Sequence, residues 1–475
     1  MFKSKQGWRA LPVLCLAGLA GMAASADETA WTEKAYAAGY KAAFTCSATF
    51  NAGKNPDRIA ADELSGVYRA YAPLIEDLPD AVINRASRTV SVTYDDAMPP
   101  RHAVWRPNLG CTQLPVGAGL EIATHLPRIT LDVPAADSDA PWTVRSPVNG
   151  DSGHAALDML VAGAFGNPEY GRDAKTSAIL IVTPTRILAE HYVPGFSPDT
   201  SQRTWSVAKS IAATIIGAAV ERGILDVKTP APIPEWQHPS DPRRMITLEN
   251  LLHMASGLDS NKAGNRTDRL YLGGGLVTDT ASRAALEAPP GLRWKYANND
   301  TLLAVRALRA AMTDDDAYWR FPFEALFHRI GMHDTVPETD WQGNFILSSQ
   351  VWTTARDLAR LGLLYLHDGV WQGRRILPEG WARYVATPAP SQPPRERGNG
   401  SPYPGYGAQF WLYNDRFSEV PDDSFAMLGN RGQIVLIIPS RDMVIVRRGY
   451  DPAGGEGFKI ERFARDVLAA LDGVL

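Results

Sequence analysis

The order of the predicted elements indicates an α/β domain whose sheet takes strands from both ends of its chain, with helices between them. Two apolar runs flank Thr183-Pro184-Thr185 and predict a hairpin over Ser177–Val182 and Arg186–His191. Near the carboxyl end, short turns separate three more apolar runs, which predict the strands Ser424–Leu428, Val435–Ile438 and Met443–Arg447. An amphipathic helix over Phe458–Leu471 is expected to close the chain.

A central helix is predicted between these two groups of strands, from about Trp205 to Arg222, and Gly223 is expected to end it. Small and apolar residues occur throughout the segment, namely Ala208, Ile211, Ala212, Ile215 and Ala219. A helix that is apolar on most sides is buried on most sides. We therefore expect this helix to lie in the middle of the domain.

Length and composition indicate more than one part. The chain has 475 residues, of which 45% are hydrophobic and 21% charged, as in globular proteins. We predict a signal peptide over 1–26, an accessory module over 27–133, a polar linker over 134–152 and the α/β domain over 153–475. The module should contain a helix near Trp31–Phe44 and a strand at Thr89–Tyr94. The net charge of −4, without a polybasic run, excludes nucleic acid as an expected partner.

The first 26 residues have the pattern of a signal peptide. Lys3, Lys5 and Arg9 precede an apolar run, and Ala24-Ser25-Ala26 matches the small-x-small site that signal peptidase cleaves. The apolar run is too short to predict a stable membrane anchor, although an uncleaved amino-terminal helix is the alternative. We expect an exported protein, either periplasmic or secreted.

Cleavage at this site would leave two cysteines, Cys46 and Cys111. The compartment beyond the membrane is oxidising, so we expect these two residues to form a disulfide. Two separate buried thiols are the alternative.

The candidate nucleophile is Ser206, at the start of the central helix, with Lys209 three residues further on. Residues three apart lie on the same face of a helix, so the hydroxyl and the amino group are neighbours. Burial and the partial positive charge of the helix start both lower the pKa of a lysine placed there. A neutral lysine can take the serine proton, and the first N–H groups of the helix can bind an oxyanion.

Two later segments supply candidate partners. Tyr296-Ala297-Asn298 offers a phenol that can relay a proton and an amide that can orient a substrate carbonyl. The turn Gly429–Gln433 precedes an apolar strand, and we expect the Gln433 N–H to be the second oxyanion donor. Gly432 would let a substrate lie close to the backbone. Taken alone, each segment is more typical of an ordinary loop or hairpin turn than of a catalytic site.

In this order, Ser-x-x-Lys, Tyr-x-Asn and a glycine turn before a carboxyl-terminal strand resemble the penicillin-recognising serine hydrolases. The chain looks similar to class C β-lactamases, their esterase relatives and the 6-aminohexanoate-dimer hydrolases over about residues 155–472. Met245–Leu258 and Thr354–Gly362 are similar to helical segments of that fold. The resemblance implies a β-lactamase/DD-peptidase-like antiparallel sheet flanked by helices, plus a helical subdomain. The module over 27–133 has no counterpart in the minimal family fold.

The strand motif departs from the family pattern. Penicillin-recognising members carry Lys-Thr-Gly or His-x-Gly, and this chain has Asn430-Arg431-Gly432. The cation therefore stands one position later and, on a strand, points to the opposite face unless the turn redirects it. We expect Asn430, Arg431 and Gly432 to contact the substrate. The departure favours ester or linear amide substrates over β-lactams.

The resemblance implies a serine hydrolase with an acyl-enzyme on Ser206, whose proton Lys209 and Tyr296 move. The N–H groups of Ser206 and Gln433 would bind the oxyanion, and Asn298 would contact the substrate. A small-molecule ester or amide is expected, with neither cofactor nor metal. Hydrolysis of β-lactams or D-amino-acid peptides is one alternative. A catalytically silent scaffold that binds peptides or cell-wall fragments is an alternative of another class.

Overall fold

The computed structural model describes residues 17–132, 154–260 and 267–472, with side chains from residue 29 onward. The predicted linker over 134–152 and the first sixteen residues of the predicted signal peptide lie outside this range. Helix α1, Ala17–Phe50, runs without a break through the expected cleavage site after Ala26. Among the described helices, none is long and apolar enough to span a bilayer.

The amino-terminal module packs α1 against an antiparallel sheet of four strands in the order β1-β2-β3-β4. Alanines without exposed surface, Ala35, Ala38 and Ala42 among them, let the sheet approach α1 closely. A disulfide between Cys46 and Cys111 joins α1 to β4, which confirms the expected pairing. The other elements are α2 Pro56–Ile59, α3 Ala72–Asp77, β1 Val82–Asn84, β2 Thr89–Val92, β3 Arg101–Arg106 and β4 Gly110–Gln113.

The large domain is built on a seven-stranded antiparallel sheet in the order β12-β13-β14-β15-β16-β5-β6. Its strands are β5 Thr176–Val182, β6 Ile187–Tyr192, β12 Gly405–Tyr406, β13 Trp411–Leu412, β14 Phe425–Gly429, β15 Gln433–Ile438 and β16 Met443–Gly449. Strand β16 pairs with β5, so the two ends of the domain meet in one sheet as predicted. Five short strands lie outside it, β7 Gln202–Arg203, β8 Val336–Pro337, β9 Val351–Thr353, β10 Val370–Trp371 and β11 Arg374–Arg375.

Helices cover both faces of this sheet. The helices of the large domain are α4 Ala155–Gly163, α5 Val207–Glu221, α6 Leu248–Leu252, α7 Asp268–Tyr271, α8 Val277–Thr280, α9 Asn298–Ala311, α10 Asp315–Ala325, α11 Ala355–Leu366, α12 Trp381–Ala386 and α13 Ile460–Leu471. The alternation of β15 explains the layering, because side chains two apart share a face. Val435 and Ile437 pack in the core that contains α5 and α11. Leu436 and Ile438 pack in the core that contains α4 and α13. The predicted β-lactamase-like architecture is confirmed.

The module and the large domain share one hydrophobic core. Tyr40 and Phe44 of α1 belong to the same buried cluster as Trp205 and Val207 at the start of α5. The disulfide, Cys46–Cys111, lies in this cluster too. The amino-terminal module therefore packs directly behind the candidate nucleophile.

Candidate active site

Ser206 immediately precedes α5, and its side chain makes no capping hydrogen bond to the helix. The helix forms as predicted from a run of small and apolar residues, and it ends before Gly223, whose φ of 69° is in the left-handed region. Lys209 lies on its first turn and is only 1% exposed. Ser206 keeps partial access to solvent, whereas Trp205 and Val207 on either side are buried. The serine is thus the reachable group at this helix start.

The Lys209 amino group contacts three oxygens. Its Nζ lies 3.1 Å from Ser206 Oγ, 2.7 Å from Asn298 Oδ1 and 2.7 Å from the Ser348 carbonyl. Burial, with a smaller effect of the nearby Arg203 charge, lowers the pKa of Lys209 to about 7. A neutral amine has two N–H donors, and the amide and carbonyl oxygens can accept both. Its lone pair then faces the Ser206 hydroxyl, which is the geometry that a general base needs.

Tyr296 approaches Ser206 from the segment before α9. Its hydroxyl is hydrogen-bonded to Ser206, and its ring centroid is 5.1 Å from Lys209 Nζ. Burial raises the pKa of Tyr296, although the Ser206 hydrogen bond acts in the opposite direction. The phenol is therefore neutral near pH 7 and has a proton to give. Asn298, the first residue of α9, holds Lys209 from the same segment.

The Tyr296 phenol is part of an aromatic wall. We define this wall as Trp294, Tyr296, Tyr403, Tyr406 and Trp411. The Tyr296 ring centroid is 5.2 Å from that of Trp411 and 6.1 Å from that of Tyr406. Trp294 contacts Tyr403 and Trp411 edge-on. Of these five residues, only Tyr296 is predicted from the sequence. The only local sequence signal of the wall is the alternation in Trp294-Lys295-Tyr296, which places the two aromatic side chains on one face of an extended segment.

The end of β14 closes the other side of the site. A Cβ atom on Gly429 would lie 2.4 Å from the Thr204 carbonyl oxygen and 3.1 Å from the Val207 nitrogen. A side chain cannot fit there, so glycine lets β14 reach the amino end of α5. The backbone of Gly429, at the start of the turn, therefore lies beside the amino end of α5.

Gln433, the expected oxyanion donor, begins β15 on the far side of this turn. Its side chain is buried, with Nε2 donating to the Gly449 carbonyl at 2.6 Å and Oε1 accepting from Arg448 at 2.7 Å. Gly432 has a φ of 76°, and a Cβ atom placed there would collide with the Arg447 guanidinium. The turn therefore directs the Gln433 side chain into the sheet, and the role of the Gln433 N–H as an oxyanion donor stays a prediction.

The side chains of Asn430 and Arg431 also differ from expectation. Asn430 is exposed, and its Oδ1 accepts a hydrogen bond from the Arg431 N–H. Arg431 is 5% exposed, and its guanidinium donates to backbone carbonyls instead of extending into the cleft. The expectation that the Arg431 guanidinium contacts the substrate is therefore wrong, because backbone carbonyls already bind it. The expected substrate contact of Gly432 stays a prediction. Within the described residues, no three His, Cys, Asp or Glu side chains are grouped to hold a metal ion.

Comparison with known proteins assigns the family. Residues 171–448 match the family described as Beta-lactamase. The chain belongs to that beta-lactamase family. It is 28% identical over 293 residues to the 6-aminohexanoate-dimer hydrolase of Paenarthrobacter ureafaciens, covering 57% of this chain and 72% of that protein.

Two solved structures share the fold of this beta-lactamase family member. A penicillin-binding protein homolog from Caulobacter crescentus is 17% identical, with a TM-score of 0.52 over 69% of this chain and 99% of that chain. A family VIII carboxylesterase is 13% identical, with a TM-score of 0.51 over 69% and 99% of the two chains. In both cases the matched portion leaves about a third of this chain outside the common fold.

Proposed function

We propose that this protein is a serine hydrolase that cleaves carboxylic esters or linear amides through an acyl-enzyme on Ser206. The observation that carries the proposal is the buried Lys209 amino group, 3.1 Å from the Ser206 hydroxyl. An amine with a pKa of about 7 is deprotonated in a large share of molecules at neutral pH. Activation of a serine by a neighbouring lysine is an established form of nucleophilic catalysis.

The proton movements follow from the contacts. Ser206 Oγ attacks the substrate carbonyl carbon, and the hydroxyl proton passes to the Lys209 lone pair. Tyr296, hydrogen-bonded to Ser206, gives its phenol proton to the leaving group and regains one from Lys209. In the second step, water attacks the acyl-enzyme and its proton passes to the Lys209 lone pair. Tyr296 gives its phenol proton to Ser206 Oγ as the acyl group leaves, and regains one from Lys209.

The negative charge on the carbonyl oxygen needs two donors. The first is the Ser206 N–H at the start of α5. For the second we propose the Asn430 N–H, because Gly429 brings that turn against Thr204 and Val207. We propose this donor in place of the Gln433 N–H, because Gly429 is the residue of the turn that approaches Thr204 and Val207 beside Ser206.

Two observations favour esters and linear amides over β-lactams. The Arg431 guanidinium, the cation of the predicted strand motif, is occupied by backbone carbonyls and is not available for a β-lactam carboxylate. The aromatic wall offers apolar and edge-on contacts to an uncharged or aliphatic substrate segment. A relative named for hydrolysis of the 6-aminohexanoate dimer supports an amide substrate.

We also propose that the protein is exported. The disulfide between Cys46 and Cys111 supports a location outside the reducing cytosol, as does the predicted signal peptide. The disulfide links α1 to β4 within the amino-terminal module, behind the active site. Its reduction would loosen the hydrophobic core that the module shares with the large domain.

A fluorophosphonate probe tests the proposal against the silent-scaffold alternative. The wild-type protein should be labelled on the peptide that contains Ser206, and Ser206→Ala should lose both labelling and ester hydrolysis. The matched control is Ser210→Ala, one turn further along α5, where the buried hydroxyl donates to the Gln409 carbonyl at 2.7 Å. The control should keep its label. Labelling of another serine, or hydrolysis retained above a tenth of wild type in Ser206→Ala, would refute the proposal.

A further inference from the structure

Arg431 joins the active-site turn to the amino-terminal module. Its Nη1 donates to the Asp62 carbonyl, and its Nη2 donates to the Ser65 carbonyl at 2.8 Å and to the Tyr450 carbonyl at 3.3 Å. Asp62 lies in a helical turn whose last carbonyls have no partner within the turn itself. A guanidinium is well suited to bind several such acceptors at once. Arg431 therefore connects two parts of the chain that are distant in sequence.

The segment that receives this guanidinium is held firmly in place. The Lys54 amino group lies 3.1 Å from the Asp62 carboxylate and 2.7 Å from the Glu63 carboxylate. It also donates to the Tyr450 hydroxyl at 2.6 Å. All four side chains are buried. A buried, fully hydrogen-bonded network of this kind is rigid, so the carbonyls that bind Arg431 are fixed points.

The backbone of Arg431 needs such an anchor. Its φ of 59° and ψ of 26° lie in the left-handed region, which a residue with a side chain adopts only when its surroundings impose it. Asn430 immediately precedes it, and the Asn430 side chain accepts the Arg431 N–H. The conformation of this residue sets the direction of the Asn430–Arg431 peptide, next to the proposed oxyanion donor.

The module holds the other oxyanion donor in a similar way. Trp205, which precedes Ser206, has a φ of 50° and is 4% exposed. Its ring centroid is 5.8 Å from that of Phe44 and 6.2 Å from that of Tyr68, both in the module. The Arg203 guanidinium lies 4.1 Å from the same ring. Residues of the module thus contact the neighbour of each proposed donor.

We infer that the amino-terminal module positions the oxyanion hole, and that Arg431 is the positioning residue through which it acts on the Asn430 N–H. The inference rests on the proposed function of Ser206. Arg431 does not touch substrate in this account, so its loss should weaken transition-state binding and leave ground-state binding nearly unchanged. Displacement of one donor by about 1 Å costs on the order of 10²-fold in rate.

The test compares Arg431→Gln and Arg431→Lys with a matched control, Arg106→Gln. Arg106 is also buried and anchors the module, donating to the Pro127 carbonyl at 2.8 Å and to Thr339 Oγ1 at 2.9 Å, but it does not contact the turn. For each folded variant, kcat and KM for a p-nitrophenyl ester would be measured. The inhibition constant of a trifluoromethyl ketone, whose tetrahedral adduct places an oxyanion in the hole, would be measured alongside.

We expect Arg431→Gln to lower kcat by about 10²-fold and to keep KM within about twofold of the wild-type value. The inhibition constant of the ketone should rise by a factor similar to the loss in kcat. Arg431→Lys, which keeps a cation able to reach one carbonyl, should lie between Arg431→Gln and wild type. If Arg431→Gln does not fold, the lysine variant decides the question by the same two readouts. Arg106→Gln should lose stability and keep the wild-type kcat.

Two results would overturn the inference. One is a folded Arg431 variant with wild-type kcat and ketone affinity. The other is an equal loss of kcat in Arg106→Gln, which would show a general effect of module stability. Fluorophosphonate labelling of wild-type Ser206 separates these outcomes from failure of the proposed function. Absence of that label refutes the serine assignment itself, whereas a labelled wild type with an unaffected Arg431 variant refutes only the positioning role.

Discussion

Replacement of Lys209 by methionine should change how the stability of the protein depends on pH. Burial lowers the pKa of Lys209 from its ordinary value of 10.5 to about 7 in the folded protein. Between these two values the unfolded chain keeps a proton that the folded chain has released. Protonation of the buried Lys209 therefore destabilises the folded protein. This destabilisation is greatest below pH 7 and decreases as the pH rises toward 10.5.

The magnitude follows from the two pKa values. From pH 7 to pH 9, linkage predicts that the wild type gains about 2 kcal/mol of unfolding free energy relative to Lys209→Met. The substitution also removes the Lys209 hydrogen bonds to the Asn298 and Ser348 oxygens, at a cost of about 1–3 kcal/mol each. That cost does not depend on pH over this range. It therefore lowers the unfolding free energy of Lys209→Met by the same amount at each pH and leaves the difference in pH dependence between the two proteins unchanged.

Urea denaturation of the oxidised proteins at pH 7, 8 and 9 would measure this difference. Other titrating groups are shared by the two proteins and cancel in the comparison. Ser210→Ala is the control, because it removes a buried hydrogen bond on the same helix without removing a titratable group. Its stability should run parallel to that of the wild type. Parallel curves for Lys209→Met and wild type would show that Lys209 is not held neutral and would refute the general-base assignment.

Three further predictions concern activity, the disulfide and specificity. The kcat/KM for an ester should rise with pH around 7, and Arg203→Met should move that rise to higher pH by removing a positive neighbour of Lys209; an unchanged midpoint would contradict this. Cys46→Ala/Cys111→Ala should lose about 4 kcal/mol of unfolding free energy in urea, because the bond closes a loop over a separation of 65 residues; a loss below about 1 kcal/mol would contradict it. A chromogenic cephalosporin should be hydrolysed more slowly than a short-chain ester or linear amide, and a faster rate would favour the β-lactamase alternative.

Much of the fold could be predicted from local sequence. The strands over 425–449 and the helix over 207–221 lie within one or two residues of their predicted bounds, since apolar periodicity and a terminal glycine determine them. Ser206 and Lys209 were predicted as neighbours because one helical turn fixes their separation. Tyr296 required the family resemblance, since nothing local joins it to that helix.

The oxyanion side of the site could not be predicted in the same way. Gly429 meets Thr204 through a tertiary contact, and the number of residues in the turn decides which N–H faces the nucleophile. The direction of Arg431 depends on a left-handed φ and on acceptors such as Ser65, which is 366 residues away in the chain. The first feature depends on packing within the large domain, and the second depends on how the module packs on it. The sequence pattern of the turn contains neither kind of information.

The formation of an acyl-enzyme tests the central claim most directly. The protein would be mixed with a p-nitrophenyl ester, quenched in acid during turnover, digested and examined by mass spectrometry. We predict that the peptide containing Ser206 gains the mass of the acyl group, and that this mass disappears once the ester is consumed. Steady hydrolysis with no acylated peptide, or with the acyl group on a residue other than Ser206, would contradict the account.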